Sequence, residues 1–215
     1  MKKFVIFVLD GTLLNSVADL AIATNYALEQ LGFCKHDIKE YRFFVGNGID
    51  KLFERALPED ARTLENIRRV RELFIPYYNV HNTDLTRPYA GIVELLEHLQ
   101  AQNICLAVAS NKYQEATRQL VAHFFPSIHF SEVCGQREGI ARKPNPAIVY
   151  GILSKLGISA SDILYVGDSG IDMQTAKNAG VDAIGVTWGF RPRAELEAFS
   201  PFLIADSPED VQQLF

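Results

Sequence analysis

The chain has 215 residues, 48% of them apolar and 22% charged, with a formal net charge of −5. That length suits one domain, or a domain carrying a small insertion, and supplies enough apolar side chains for a sizeable core. The negative charge argues against a nucleic-acid surface, and no apolar run reaches membrane-spanning length.

The start is basic, but the apolar run Phe4–Leu9 ends at Asp10 and is too short for the h-region of a secretory signal. A soluble, cytoplasmic protein is the expectation. Cys34, Cys105 and Cys134 show no metal spacing, and the strand around Cys105 predicts a buried, reduced thiol there.

Short apolar runs predict strands over Phe4–Leu9, Ile104–Ala109, Ile163–Val166, Ala183–Val186 and Phe202–Ala205. Amphipathic helices are predicted over Gly91–Gln100, Tyr113–His123, Pro146–Leu156 and Asp172–Ala179. This alternation predicts an α/β fold with a parallel sheet covered on both faces, and ligands gather at the carboxyl ends of such strands. From about Asn15 to Asn82 the pattern is helical only. Ser16 and Asp19 read as a capping-box start, a second helix follows Gly46-Asn47-Gly48 to Pro58, and a third runs from Ala61 to about Tyr78. Arg68, Arg69 and Arg71 read as the wet face of that third helix. The predicted organisation is a core of residues 1–14 and 83–215 with a helical domain, 15–82, above the first strand.

Four segments fall at strand ends or helix entrances: Asp10-Gly11-Thr12, Ser110-Asn111-Lys112, Lys143-Pro144 and the run GDSGID that carries Asp168 and Asp172. Each alone reads as a cap or turn. A parallel sheet would gather them at one rim, where Asp10, Asp168 and Asp172 would repel one another unless a cation such as Mg²⁺ sat among them. Ser110 could donate to a phosphate oxygen and Lys143 could supply a positive charge.

With these motifs the chain resembles the haloacid dehalogenase superfamily, in its phosphoglycolate-phosphatase-like branch. VLDGT at 8–12, Ser110-Asn111, Lys143-Pro144 and GDSGID at 167–172 follow the family order. VGNGIDKLFERAL at 45–57 and VTWGF at 186–190 are similar to that branch. The resemblance implies a doubly wound, Rossmann-like core with an inserted cap, and Mg²⁺-dependent hydrolysis of a small phosphorylated metabolite, 2-phosphoglycolate foremost. It implies an aspartyl-phosphate, with Asp10 protonating the leaving alkoxide and then activating water. The implied metal set is Asp10, Asp168 and Asp172. The implied catalytic set is Asp10, Ser110 and Lys143, and the substrate-binding set is Gly11, Thr12, Gly46, Asn47, Gly48, Arg55, Asn111 and Lys112. Gly46-Asn47-Gly48 also reads as a helix-entry turn, and Arg55 as a surface arginine. Asp10, which dehalogenases of the superfamily lack, favours phosphoryl chemistry.

The same register puts Val8 where the nucleophilic aspartate belongs. Valine has no lone pair for phosphorus and no oxygen for a metal, so turnover is expected to be abolished or severely impaired. The alternatives are a pseudo-phosphatase that binds a phosphorylated ligand or a protein partner, an enzyme that uses water directly, and a sugar-phosphate mutase. A monomer or a dimer fits equally.

Overall fold

A computed structural model describes residues 2–215. In chain order it comprises β1 (Phe4–Phe7), β2 (Leu14–Asn15), α1 (Val17–Gln30), α2 (Tyr41–Phe44), α3 (Ile49–Ala56), α4 (Leu64–His81), β3 (Arg87–Pro88), α5 (Ile92–Ala101) and β4 (Cys105–Tyr113). There follow α6 (Gln114–Phe124), β5 (Phe130–Gln136), α7 (Ala147–Leu156), β6 (Ile163–Gly167), α8 (Gly170–Ala179), β7 (Asp182–Val186), α9 (Arg193–Glu197), β8 (Leu203–Ala205) and α10 (Pro208–Gln212). Six strands form one sheet in the order β5-β4-β1-β6-β7-β8, and every neighbouring pair is parallel. The chain has the α/β, Rossmann-like architecture expected of its sequence.

Alternation along β1 explains the two-faced core. Val5, Phe7 and Leu9 enter one apolar cluster with Leu95, Leu106 and Leu120, while Phe4, Ile6 and Val8 enter another with Val149, Ile152 and Met173. A strand buried on both faces needs apolar residues at every position, as FVIFVL supplies. Each fully buried large side chain contributes about 1.5–3 kcal/mol of transfer free energy. A third cluster is built mainly from residues of α1 to α4, including Leu28, Phe53, Phe74 and Tyr78, and Phe190 and Ala116 join it.

The helical segment leaves and re-enters through a two-stranded ribbon in which β2 and β3 pair antiparallel, Leu14 opposite Pro88 and Asn15 opposite Arg87. Buried Asp19 fastens the return strand, accepting from the Leu85 and Thr86 N–H groups at 3.0 and 2.8 Å and from Thr86 Oγ1 at 2.7 Å.

Two expectations are corrected, and one strand is added. Ser16 and Asp19 do not close a capping box on α1, because no side-chain bond caps that helix and both side chains bond elsewhere. Cys105 is exposed at the start of β4, and Cys134 is the buried thiol. The edge strand β5 was not predicted: its sequence FSEVCGQ mixes polar and apolar residues because one side of it lacks a neighbouring strand.

Candidate active site

β1 stops at Phe7, and the Val8 N–H still donates to the Val166 carbonyl at 2.9 Å, so residue 8 is held in strand geometry as the chain reaches the rim. There it lines a cleft of about 600 Å³, counting space open to solvent, with Asp10, Ser110, Asn111, Lys112, Lys143, Asp168, Ser169 and Asp172. The segment 110–112 falls within β4 where the register against β5 slips, between the pairs Ala109–Cys134 and Tyr113–Gln136. An irregularity of this kind re-aims side chains, and here it turns three polar ones to the cleft.

Each carboxylate has its own partners. Asp10 takes a 2.5 Å hydrogen bond from Ser16 Oγ and lies 3.1 and 3.2 Å from buried Lys112 Nζ, which in turn sits 4.8 Å from the Tyr78 ring centroid. Asp172 receives Lys143 Nζ at 2.7 Å and the Ser169 hydroxyl at 2.6 Å, so it both pairs with the lysine and caps α8. Burial opposes the charge on Lys143, but Asp172 and then Tyr165 hold its ammonium above the usual lysine range.

Asp168 is different. Its oxygens accept from Thr12 Oγ1 at 3.1 Å and the Phe190 N–H at 2.9 Å, and no lysine, arginine or histidine pairs with it among the described residues. Burial first, and then the neighbouring Asp172 charge, push its carboxyl up to about 7 despite those two donors. It is wedged between two glycines. A Cβ on Gly11, which has φ +82°, would lie 2.2 Å from Asp168 Oδ2, and one on Gly189 would lie 2.2 Å from Asp168 Cβ. Only glycine fits at either position.

The predicted residues therefore divide. Val8, Asp10, Gly46, Gly48, Ser110, Asn111, Lys112, Lys143, Asp168 and Asp172 converge on the cleft. Gly11 and Thr12 lie behind Asp168 and position it. Asn111 is committed to structure: its amide donates to the carbonyls of Gly46 and Lys143, and its oxygen accepts from the Lys143 N–H at 2.9 Å. Arg55 does not line the cleft; it donates to the Phe43 and Phe44 carbonyls and to Asn47 Oδ1, fixing the loop that carries Gly46 and Gly48.

Ser16, Ser169, Phe190 and Arg191 were missed. Ser16 resembled a helix cap, and Phe190-Arg191 lie outside any charged or catalytic pattern, although VTWGF marked their neighbourhood. Buried Arg191 donates to the carbonyls of Arg42, Phe43 and Val45, and Arg42 returns a bond to the Gly189 carbonyl at 2.8 Å.

Among the described residues no three His, Cys, Asp or Glu side chains form a metal-holding group, because Asp10 and Asp172 face lysines. One buried carboxylate without a cationic partner, Asp168, fits a cation that usually binds through one or two carboxylates, phosphate oxygens and water.

Comparison with known proteins agrees with this geometry. The model of the haloacid dehalogenase-like hydrolase family matches residues 5–186. The chain is 33% identical over 217 residues to a phosphoglycolate phosphatase of Vibrio parahaemolyticus serotype O3:K6, covering 99% of this chain and 95% of the relative. It is 35% identical over 194 residues to a phosphoglycolate phosphatase of Mannheimia succiniciproducens, covering 87% of each. A crystal structure from Lactobacillus delbrueckii subsp. bulgaricus superposes with a TM-score of 0.93 at 35% identity, over 100% of this chain and 98% of that one. Fold, rim and sequence agree: the chain belongs to the haloacid dehalogenase-like hydrolase family and is by descent a phosphatase.

Proposed function

We propose that this chain binds a small phosphoric monoester at the rim formed by Ser110, Lys112, Lys143 and Asp168 and, with valine at position 8, does not turn it over at a physiological rate. The observation that carries the reading is Val8 itself: its side chain lines the cleft beside every other group the chemistry needs. An aspartate there would attack phosphorus through one carboxylate oxygen, forming an O–P bond as the bond to the alkoxide breaks. Asp10 would give that alkoxide its proton and then take one from the attacking water. Valine supplies no electron pair, so the first displacement has no donor.

Asp168 is the residue that would hold Mg²⁺, with phosphate oxygens and water completing its shell. The ion would neutralise charge on the phosphoryl oxygens. The missing carboxylate at position 8 implies weaker retention of the ion than an intact site would give. Lys143 and the Ser110 hydroxyl need no nucleophile to bind phosphate oxygens, so ligand binding survives.

The test is phosphate release with Mg²⁺ from 2-phosphoglycolate, the compound in the relatives' names, and from p-nitrophenyl phosphate as a generic monoester. Val8→Asp should gain at least a thousandfold in turnover over the parent chain on one of them. A variant that releases phosphate from neither would overturn the reading.

A further inference from the structure

We infer that Tyr78 of α4 is a positioning residue for Asp10: its ring face seats the Lys112 ammonium on that carboxylate. This rests on Asp10 being the acid–base group of the proposed reaction. Lys112 Nζ lies 3.1 and 3.2 Å from the two Asp10 oxygens and 4.8 Å from the Tyr78 ring centroid, and it has no other hydrogen-bond acceptor among the described residues. The lysine side chain is 3% exposed. One carboxylate leaves so buried an ammonium short of partners, and the negative face of an aromatic ring supplies the missing attraction. Without the ring the lysine loses its seat, and the Asp10 carboxylate loses a donor that holds both its oxygens.

The ring face is the part of Tyr78 that carries this role. Its hydroxyl is buried with no hydrogen-bond partner among the described residues, and the side chain does not line the cleft. A stack within the helical segment fixes the ring: it lies 5.0 Å from the Phe74 ring at 14°, and Phe74 meets Phe53 edge-on at 5.0 Å. The next residues of both elements are joined as well, Tyr113 Oη donating to Asn79 Oδ1 at 2.6 Å. Two successive residues of α4 thus meet two successive residues of β4, which registers the strand end carrying Lys112 against the helix.

The first readout needs no turnover. In the unmodified chain with isotope-labelled lysine, the Lys112 ε-methylene protons, assigned by their loss in Lys112→Arg, should resonate upfield of those of the surface lysines, displaced by the ring current. Tyr78→Phe should keep that displacement and Tyr78→Leu should lose it. Lys112 protons at the surface-lysine position in the unmodified chain overturn the inference.

The second readout is phosphate release from p-nitrophenyl phosphate in the Val8→Asp background. Tyr78→Leu should lower turnover about tenfold or more, the scale of a desolvated cation–π contact, while Tyr78→Phe stays within about twofold of its parent. With Lys112→Met already present, Tyr78→Leu should cost no more than about twofold further, since its effect runs through the lysine. Unchanged turnover in Tyr78→Leu, an equal loss in Tyr78→Phe, or equal losses with and without Lys112 would each overturn the inference. A Val8→Asp chain that releases no phosphate removes the catalytic reading, and the lysine resonance then decides alone whether the ring seats Lys112. If Tyr78→Leu does not fold, the same resonance in the unmodified and Tyr78→Phe chains decides it.

Discussion

Ser16 Oγ donates to Asp10 Oδ1 at 2.5 Å across the turn that separates β1 from α1, so the residue that should cap the helix instead orients the carboxylate proposed as the acid–base group. Its hydroxyl is buried, and Lys112 Nζ meets both oxygens of the same carboxylate. In the Val8→Asp background, Ser16→Ala should lower turnover about tenfold, a loss of about 1.4 kcal/mol in the transition state. Because the helix does not depend on this cap, thermal unfolding should shift by no more than about 2–4 °C. A large drop in melting temperature with unchanged turnover would reverse the assignment.

Lys143 and Asp172 form a buried pair at 2.7 Å, with side chains 2% and 3% exposed. Lys143→Met leaves Asp172 charged and unpaired, and should cost about 3–5 kcal/mol in denaturant unfolding. Adding Asp172→Asn removes the orphaned charge while keeping an oxygen for the Ser169 donors. The double variant should recover at least half of the loss. A double variant no more stable than Lys143→Met would show that the lysine acts through packing alone.

Asp168 gives a pH signature. Its carboxyl is raised from 3.8 to about 7 in the folded protein, so the native state holds a proton that the unfolded chain has released. Its contribution to stability is complete below pH about 4 and is lost as pH rises through 7. Asp168→Asn should make the metal-free protein more stable by about 4 kcal/mol at pH 8 and leave it nearly unchanged near pH 4. The Thr12 hydroxyl can turn to accept from the new amide, so the hydrogen bonds close again. Denaturant midpoints across that pH range check both ends.

Two arginine contacts fasten the helical segment to the sheet, and their exposure sets their worth. Arg191 is buried on three carbonyls of the 42–45 segment. Arg191→Met should speed amide exchange across residues 41–46 by at least tenfold. Asp50, by contrast, meets Arg71 and Arg142 where all three side chains are 29–43% exposed. Asp50→Asn should therefore cost less than about 1 kcal/mol and lose its effect in high salt.

What the sequence revealed follows from where the information is local. β1, β6 and β7 are buried on both faces, so continuous apolar runs betray them. Asp10, Lys143, Asp168 and Asp172 stand at the ends of such runs and could be placed at one rim from topology alone. The partners were not legible. Nothing in the spacing of Ser16 and Asp19 separates a capping box from bonds to Asp10 and Thr86, because both use short polar side chains after a strand. Arg55 sits on an exposed-looking helix turn, and only the fold shows that loop carbonyls await it. Arg191 acts at a sequence distance of 146 to 149 residues, beyond any local pattern.

The backbone bond from Val8 to Val166 and the apolar company of Phe4 and Ile6 are indifferent to what residue 8 does to phosphorus. Valine and aspartate have similar bulk but opposite affinity for water. Folding is not neutral at this position: a carboxylate at residue 8 would stand in the apolar company of Phe4 and Ile6 and in the same cleft as Asp10, Asp168 and Asp172, so the residue that restores the chemistry is the one that stability opposes.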